Sequence, residues 1–334
     1  MEKYVDTKDK KLIMLWLISL LSSIFLMVII GGITRLTDSG LSMVEWKLFL
    51  GFLPPLNETE WDKVFNLYKT SPEYKFYNKG MGITEFKKIF FWEYFHRLFG
   101  RFIGILFIIP FIIFVIKRTI SRNNIFRLLI ILFLGAIQGF IGWWMVESGL
   151  VDNPDISQYR LSVHLGNAFL IMFLLLWLIL DIYEGVSKIK VNFNLFILLI
   201  LSFTIIAGAF VAGMDAGLMY NTYPLMNGNI FPDDYGQLGY LDPMENPGSA
   251  QFHHRHLGLL TIIGLLFIYF FNRKNSYLKN RLNVLLILSF CQFGLGIFIL
   301  LNFVPITFAS LHQIGAMIIF LLLTSIIHSQ NIKN

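Results

Sequence analysis

The sequence predicts an all-α integral membrane protein whose eight transmembrane helices form two pseudo-symmetric four-helix bundles. Two observations lead to this prediction: the apolar composition and a set of motifs that recurs in the second half. Of the 334 residues, 56% are hydrophobic and only 14% are charged. A soluble fold cannot bury that much apolar surface. Apolar runs of about 20 residues, the length that crosses a bilayer, recur along the chain.

These runs predict eight spanning helices and place the boundaries of the two halves. The expected spans are residues 12–33, 94–117, 128–146, 161–181, 193–213, 254–271, 282–301 and 304–328. The expected divisions are an N-terminal segment (1–11), a first repeat (12–181) with a long loop (34–93), a linker (182–192), a second repeat (193–328) with a loop (214–253), and a tail (329–334).

The first apolar run is expected to be a retained helix in a bacterial inner membrane. It is too long for a signal peptide, and Arg35 follows it instead of a small-residue cleavage site. A mitochondrial transit peptide is poor in acidic residues, whereas Glu2, Asp6 and Asp9 precede this run.

Charged residues predict the orientation, because Lys and Arg of short loops stay in the cytoplasm. They concentrate before the first helix and in the loops after the second, fourth and sixth, at residues 3–11, 117–127, 188–190 and 273–281. Both termini are therefore expected to be cytoplasmic. This asymmetry accounts for the net charge of +6 and gives no reason to invoke nucleic acid. The single cysteine, Cys291, excludes an internal disulfide.

Four motifs recur in the same order in the two halves, which indicates a duplicated four-helix unit. The pairs are 38–41 (DSGL) with 215–218 (DAGL), 96–98 (HRL) with 254–256 (HRH), 138–142 (QGFIG) with 292–296 (QFGLG), and 162–166 (SVHLG) with 310–315 (SLHQIG). An even number of spans per repeat gives both halves one orientation, related by an axis along the membrane normal. Equivalent residues should then lie at similar depth.

Four of the seven histidines occupy these repeated positions: His96, His164, His254 and His312. Ionisable side chains inside a membrane are costly and usually functional. At ~1.5 Å rise per residue, the first three are expected within about two turns of the outer end of their helices, and His312 slightly deeper. Neutral imidazoles are common haem ligands. One histidine pair per repeat therefore predicts one six-coordinate haem per repeat, toward the periplasmic side.

Other interpretations of the histidines remain open. A lone intramembrane histidine can simply bridge helices by hydrogen bonds. Zinc is less suitable, because no third ligand recurs in both repeats. His253 and His256 flank His254, which is preferred because an arginine follows it as in the first half. His328 is expected to be solvated or interfacial at the cytoplasmic end.

The two halves differ three residues before the second-helix histidine, where the first has Glu93 and the second has Gln251. Residues three apart share one face of a helix. A carboxylate beside only one metal centre suggests proton-coupled chemistry in the first half and electron storage or transfer in the second. Alternatively, Glu93 caps the outer end of its helix, where a negative charge suits the helix dipole.

An arginine follows each second-helix histidine directly, Arg97 in the first half and Arg255 in the second. Either guanidinium could pair with a haem propionate through charge-assisted hydrogen bonds. Binding of lipid phosphate is the alternative for an arginine at the membrane interface. The duplicated placement favours propionate.

Several segments resemble the haem A synthase family, in the branch shared by proteobacteria and mitochondria. They are 93–97 (EYFHR), 142–146 (GWWMV), 148–150 (SGL), 164–168 (HLGNA), 221–226 (NTYPLM), 251–255 (QFHHR) and, in the first long loop, 45–47 (EWK), 53–55 (LPP), 78–81 (NKGM) and 85–87 (EFK). The resemblance extends from about residue 30 to 325.

This resemblance implies successive hydroxylations that oxidise a methyl group of haem O to the formyl group of haem A, for haem A-containing oxidases. It implies His96 and His164 as ligands of the substrate haem, His254 and His312 as ligands of a haem b cofactor, and Glu93 as the catalytic carboxylate. The chain departs from another branch of the family, which has a cysteine pair in the first outer loop. No thiol step is therefore transferred to it.

Two other functions are possible for a membrane protein with these repeated histidines. A di-haem, quinol-linked cytochrome b needs the same histidines but has no use for a glutamate near only one pair. A transporter built from parallel repeats leaves the four histidines unexplained.

The expected partners follow from haem O as the substrate. They are the farnesyltransferase that makes haem O and an electron donor, and the chain could form homo-oligomers.

Overall fold

The computed structural model describes residues 9–46, 52–151 and 154–333, and these residues form helices and loops without a β-strand. The helices are α1 (Lys10–Leu36), α2 (Glu58–Tyr68), α3 (Pro72–Phe76), α4 (Ile83–Ile116), α5 (Arg122–Glu147), α6 (Gln158–Tyr183), α7 (Phe193–Gly213), α8 (Asp242–Glu245), α9 (Pro247–Asn272), α10 (Lys279–Leu301) and α11 (Ile306–Lys333).

Eight of the described helices are long and apolar enough to cross a membrane: α1, α4, α5, α6, α7, α9, α10 and α11. The prediction of an all-α, multi-pass membrane protein with eight spans is therefore confirmed. The same pairs of helices pack in each half: α1 with α4 and α5 with α6 in the first, and α7 with α9 and α10 with α11 in the second.

The two halves meet through the first and last spanning helix of each. Helices α1, α6, α7 and α11 contact one another at the centre of the molecule. Val28, Met172, Leu201 and Met317, one from each of these helices, belong to a single buried apolar cluster. Helices α4, α5, α9 and α10 lie outside this centre and expose large apolar side chains.

Two spanning helices begin well before their predicted starts. Helix α4 begins at Ile83 instead of residue 94, because Phe86 and Phe90 are buried against α2. Helix α9 begins at Pro247 instead of residue 254, where the Asn246 side chain accepts a hydrogen bond from Ser249 N. Proline suits the first helical position because its missing N–H needs no partner there.

Because several helices are longer than predicted, the two long loops and the C-terminal tail are shorter than predicted. The first long loop covers residues 37–82 and the second covers 214–246, both shorter than predicted. Helix α11 continues to Lys333, through most of the predicted tail at 329–334. Hydropathy identifies only the apolar part of a helix. It therefore predicts a loop where a polar helical extension packs on other segments of the protein.

His328 lies in a buried ionic cluster, so the prediction that it is solvated or interfacial is wrong. Its side chain is fully buried, and Nε2 lies 2.8 Å from Oδ1 of Asp181 on α6. Arg127 of α5 lies 2.7 Å from the other oxygen of Asp181. The imidazole also packs edge-on against Trp177. Only the adjacency of α6 and α11 brings these groups together.

A second carboxylate extends this cluster toward α10. Glu184 accepts hydrogen bonds from Arg281 at 2.8 Å and from the hydroxyl of Ser329 at 2.6 Å. Arg127, Asp181 and Glu184 belong to the first half, whereas Arg281 and His328 belong to the second. Buried charges need such pairing to offset their desolvation. The cluster therefore joins the two halves at the end that bears both termini.

The first long loop carries a compact aromatic cluster on the extension of α4. Phe65 and Tyr68 of α2 pack against Phe86 and Phe90 of α4. Beneath them, the Tyr68 hydroxyl donates a hydrogen bond of 2.8 Å to the carboxyl of Glu73. Glu73 is only 5% exposed. Burial raises the pKa of this carboxyl from 4.5 to about 7.

Glu73 is expected to make the protein less stable as the pH rises. Its raised pKa of about 7 means that the native state retains a proton that the unfolded chain loses near pH 4.5. The resulting stability is complete below the unfolded pKa and is lost as the pH rises through the folded pKa. A shift of this size corresponds to at most about 3 kcal/mol.

We therefore expect the melting temperature in detergent to fall between about pH 5 and pH 8. The variant Glu73→Gln keeps an acceptor for Tyr68 and should show a smaller fall. An identical pH profile in both proteins would contradict this interpretation of Glu73.

Candidate functional site

Each of the four repeated histidines rests on a glycine of the spanning helix that precedes its own. A β-carbon built on the glycine would lie 3.2 Å from the imidazole for Gly31 with His96, 3.1 Å for Gly142 with His164, 3.0 Å for Gly208 with His254, and 3.0 Å for Gly296 with His312. Any larger residue would displace the ring. Sequence analysis missed this role, although these glycines fall at matched positions.

The second-half pair has the geometry of two ligands facing one metal. The ring centres of His254 and His312 are 6.4 Å apart and their planes are inclined by 77°. A metal ion fits between rings at this separation, because a metal–imidazole bond is about 2 Å long. Nδ1 of His254 lies 3.0 Å from the carbonyl of Thr204, which can only accept. Nε2 of His254 is therefore free to bind a metal.

Among the three clustered histidines of α9, only His254 faces the partner ring of His312. Nδ1 of His253 bonds to the carbonyl of Ser249 at 2.8 Å. Nδ1 of His256 bonds to the carbonyl of Phe252 at 2.8 Å, and its side chain is exposed. The geometry therefore supports His254 as the ligand on this helix.

The first-half pair consists of His96 on α4 and His164 on α6, both partly buried. His96 lies thirteen residues after Ile83, ~20 Å along its helix, and not within two turns of the helix end as predicted. Nor is His312 deeper in its helix than the others, because it follows Ile306 by six residues.

The Glu93 carboxylate is buried and fully engaged in hydrogen bonds. Oε2 accepts bonds of 2.7 Å from the Ser42 hydroxyl and 2.7 Å from the Met43 amide. Oε1 accepts a bond of 2.5 Å from Arg97. Glu93 lies in the third turn of a helix that begins at Ile83, so it does not cap the helix end. These three donors fix the position of both carboxylate oxygens.

Arg97 ties α4 to the beginning of the first long loop. Besides Glu93, its guanidinium donates to the carbonyl of Met43 at 3.0 Å and to that of Glu45 at 3.1 Å. It also lies 4.6 Å from the ring centre of Trp46. A cleft of about 230 Å³ opens between these side chains and Trp143 of α5.

Arg255 makes the same contacts in the second half. Its guanidinium donates to the carbonyls of Tyr220 at 2.7 Å and Thr222 at 2.9 Å, in the second long loop. It also donates to Oε1 of Gln251 at 3.1 Å. Around these two arginines the halves are arranged alike, but the first has the charged Glu93 where the second has the neutral Gln251. Pairing of either arginine with a propionate stays a prediction.

Arg97 should therefore matter more for stability than Arg255. The variant Arg97→Met leaves the Glu93 carboxylate buried without its cation, which costs about 3–5 kcal/mol. Arg255→Met leaves only neutral groups unpaired, at about 1–3 kcal/mol. Thermal unfolding in detergent should place Arg97→Met below Arg255→Met in melting temperature.

A double variant tests whether the unpaired charge of Glu93 causes the loss of stability in Arg97→Met. Arg97→Met with Glu93→Gln removes the unpaired charge, so most of the lost stability should return. Equal melting temperatures for the two single variants, or no recovery in the double variant, would contradict the assignment of a buried ion pair.

Comparison with known proteins confirms the resemblance seen in the motifs. Residues 14–324 match the COX15-CtaA family of cytochrome oxidase assembly proteins. A heme A synthase of Pelagibacter ubique is 47% identical, covering 92% of this chain and 94% of its own length. Those of Nitrosospira multiformis (43% identical, covering 93% and 91%) and Flavobacterium johnsoniae (39% identical, covering 96% and 98%) are similar along nearly the whole chain. This chain belongs to the cytochrome oxidase assembly protein family.

Proposed function

We propose that this protein is a haem A synthase, which oxidises a methyl group of haem O to the formyl group of haem A by successive hydroxylations. The names of its relatives support this reaction. The observation that carries the proposal for this chain is the contrast of Glu93 and Gln251. Two equivalent histidine pairs lie beside groups that differ in charge, as a reactive centre and an electron-storing centre require.

The four histidines fit two haems. His96 and His164 would hold haem O, while His254 and His312 would hold haem b. Nδ1 of His312 is buried without a partner among the described residues, and Nδ1 of His254 is anchored on Thr204. Bound haem supplies the redox-active iron, and the protein supplies its ligands and surroundings.

Glu93 is the proposed catalytic carboxylate of the first half. It lies one helical turn before His96, so its carboxylate and that imidazole project from the same side of α4. The hydrogen bonds from Ser42, Met43 and Arg97 orient this carboxylate. The Glu93 carboxylate, which accepts a hydrogen bond of 2.7 Å from the Ser42 hydroxyl, can also accept a proton released during hydroxylation.

The proposed location is the bacterial inner membrane, with both termini cytoplasmic and both haem sites toward the periplasm. The positive loops support this orientation. The farnesyltransferase that makes haem O and an electron donor are the proposed partners. Arg97 and Arg255 are proposed to approach the propionates of the two haems.

Haem extraction from the purified protein tests the reaction. Expressed in cells that make haem O, the wild type should contain haem b together with haem O or haem A. Glu93→Gln keeps the size and most hydrogen bonds of the side chain but loses its charge. We expect its haem A to fall at least tenfold, about 1.4 kcal/mol in barrier, with haem b retained. Haem b alone in the wild type would favour an electron-transfer cytochrome.

Removal of single ligands tests the assignment of the two halves. His96→Ala should lose haem O and haem A while its haem b stays at the wild-type level. His254→Ala should lose haem b selectively, because the other pair is formed by different helices. Each variant serves as the control for the other. Loss of the same haem in both variants would contradict the assignment.

A further inference from the structure

The third spanning helix of each half carries a glutamine at a matched position, and the two glutamines differ in their contacts. Gln138 of α5 and Gln292 of α10 occupy matched positions in the repeated motif. Both donate to the backbone carbonyl of the following histidine, at 3.1 Å for His164 and 2.8 Å for His312. Gln138 Nε2 also lies 3.2 Å from His164 Nε2. Within the described residues, Gln292 makes no matching bond to the imidazole of His312.

Neighbouring carbonyl groups determine the orientation of the Gln138 amide. Asn167 donates to the carbonyl of Leu134 at 3.1 Å, so its NH₂ group points toward α5. The same NH₂ group donates to Oε1 of Gln138 at 2.7 Å. The carbonyl of His164 can only accept a hydrogen bond, so the Gln138 atom 3.1 Å from it is the NH₂ nitrogen. Gln138 therefore presents N–H to the imidazole.

The second half has no counterpart of Asn167. The matched residue is Gly315, and Oε1 of Gln292 lies so close to it that a β-carbon there would be 2.1 Å away. Gln292 therefore lacks the side-chain donor that Asn167 gives to Gln138. Within the described residues, its Nε2 bonds to the carbonyl of His312 and not to the ring.

This contact decides the tautomer of His164. Because Gln138 donates to Nε2, the neutral ring carries its proton on Nδ1. Nδ1 is buried and has no hydrogen-bond partner in the part of the chain that the structure describes. A metal-binding histidine normally donates its second N–H to an acceptor, as His254 does to Thr204. Nδ1 of His164 lacks such an acceptor, as does Nδ1 of His312. The two histidines differ at Nε2, because among the described residues the matched glutamine contacts only Nε2 of His164.

We propose that His164 is the exchangeable ligand of the substrate haem, and that Gln138, oriented by Asn167, is the positioning residue that holds it off the iron. With haem bound, His96 would keep its bond to the iron, and the Nε2 lone pair of His164 would pass between the iron and the Gln138 N–H. No proton or electron would be transferred. The position that His164 leaves would admit a small ligand such as dioxygen. The inference rests on the proposed function.

Carbon monoxide reports this exchange, because it binds ferrous haem only where a ligand position is open. The full-length protein, carrying haem O and haem b, is reduced with dithionite and titrated with carbon monoxide. The apparent Kd rises as the open population falls. Gln138→Leu removes the donor at similar size, and we expect its Kd to rise about tenfold, the effect of one net hydrogen bond. Asn167→Gly, which copies Gly315, should shift the Kd in the same direction.

Gln292→Leu is the matched control, and it should leave the carbon monoxide affinity of the first half unchanged. The haem b content of each preparation shows that the protein is folded. Wild-type affinity in both Gln138→Leu and Asn167→Gly, with haem O bound, would overturn the proposal. So would a wild type that binds no carbon monoxide.

The titration involves no turnover, so its result is separate from that of the synthase assay. A protein that shows Gln138-dependent binding but makes no haem A would overturn the proposed reaction and keep the ligand exchange. A protein that makes haem A with binding independent of Gln138 would overturn only the exchange. Failure to take up haem O would overturn both.

Discussion

The contact of each imidazole with a glycine on the neighbouring helix is the constraint on which the site depends. In lipid, helices gain little from hydrophobic burial, and small residues let them approach closely. Gly31, Gly142, Gly208 and Gly296 provide this approach at the four places where a histidine projects inward. The rings are thereby held at defined positions, and a pair such as His254 and His312 can face one metal.

Polar contacts around these rings give two similar halves different properties. Arg97 and Arg255 hold the beginning of a long loop against a helix in the same way. The first arginine also neutralises a buried carboxylate, and the second bonds to a neutral amide. The first half can therefore take part in proton transfer with no change of scaffold. The second half has the neutral amide of Gln251 at the matched position.

At the end that bears both termini, the arrangement is different, because a buried ionic cluster connects the halves. Asp181 binds Arg127 from its own half and His328 from the other. Such groups are costly to bury and need complete pairing. The cluster lies at the opposite end of α6 from His164, so it serves packing of the halves rather than chemistry at the histidine pairs.

Hydropathy and motif spacing were enough to predict the eight spans, the order of the repeated motifs, the four histidines and the Glu93–Gln251 difference. These are local properties of the chain. The true start of α4, the burial of His328 and the partners of Gln138 depend instead on the packing of the folded protein. Each depends on which side chains neighbouring helices bring together across large sequence separations, as between Asp181 and His328. Hydropathy cannot report such contacts, because it describes one helix at a time.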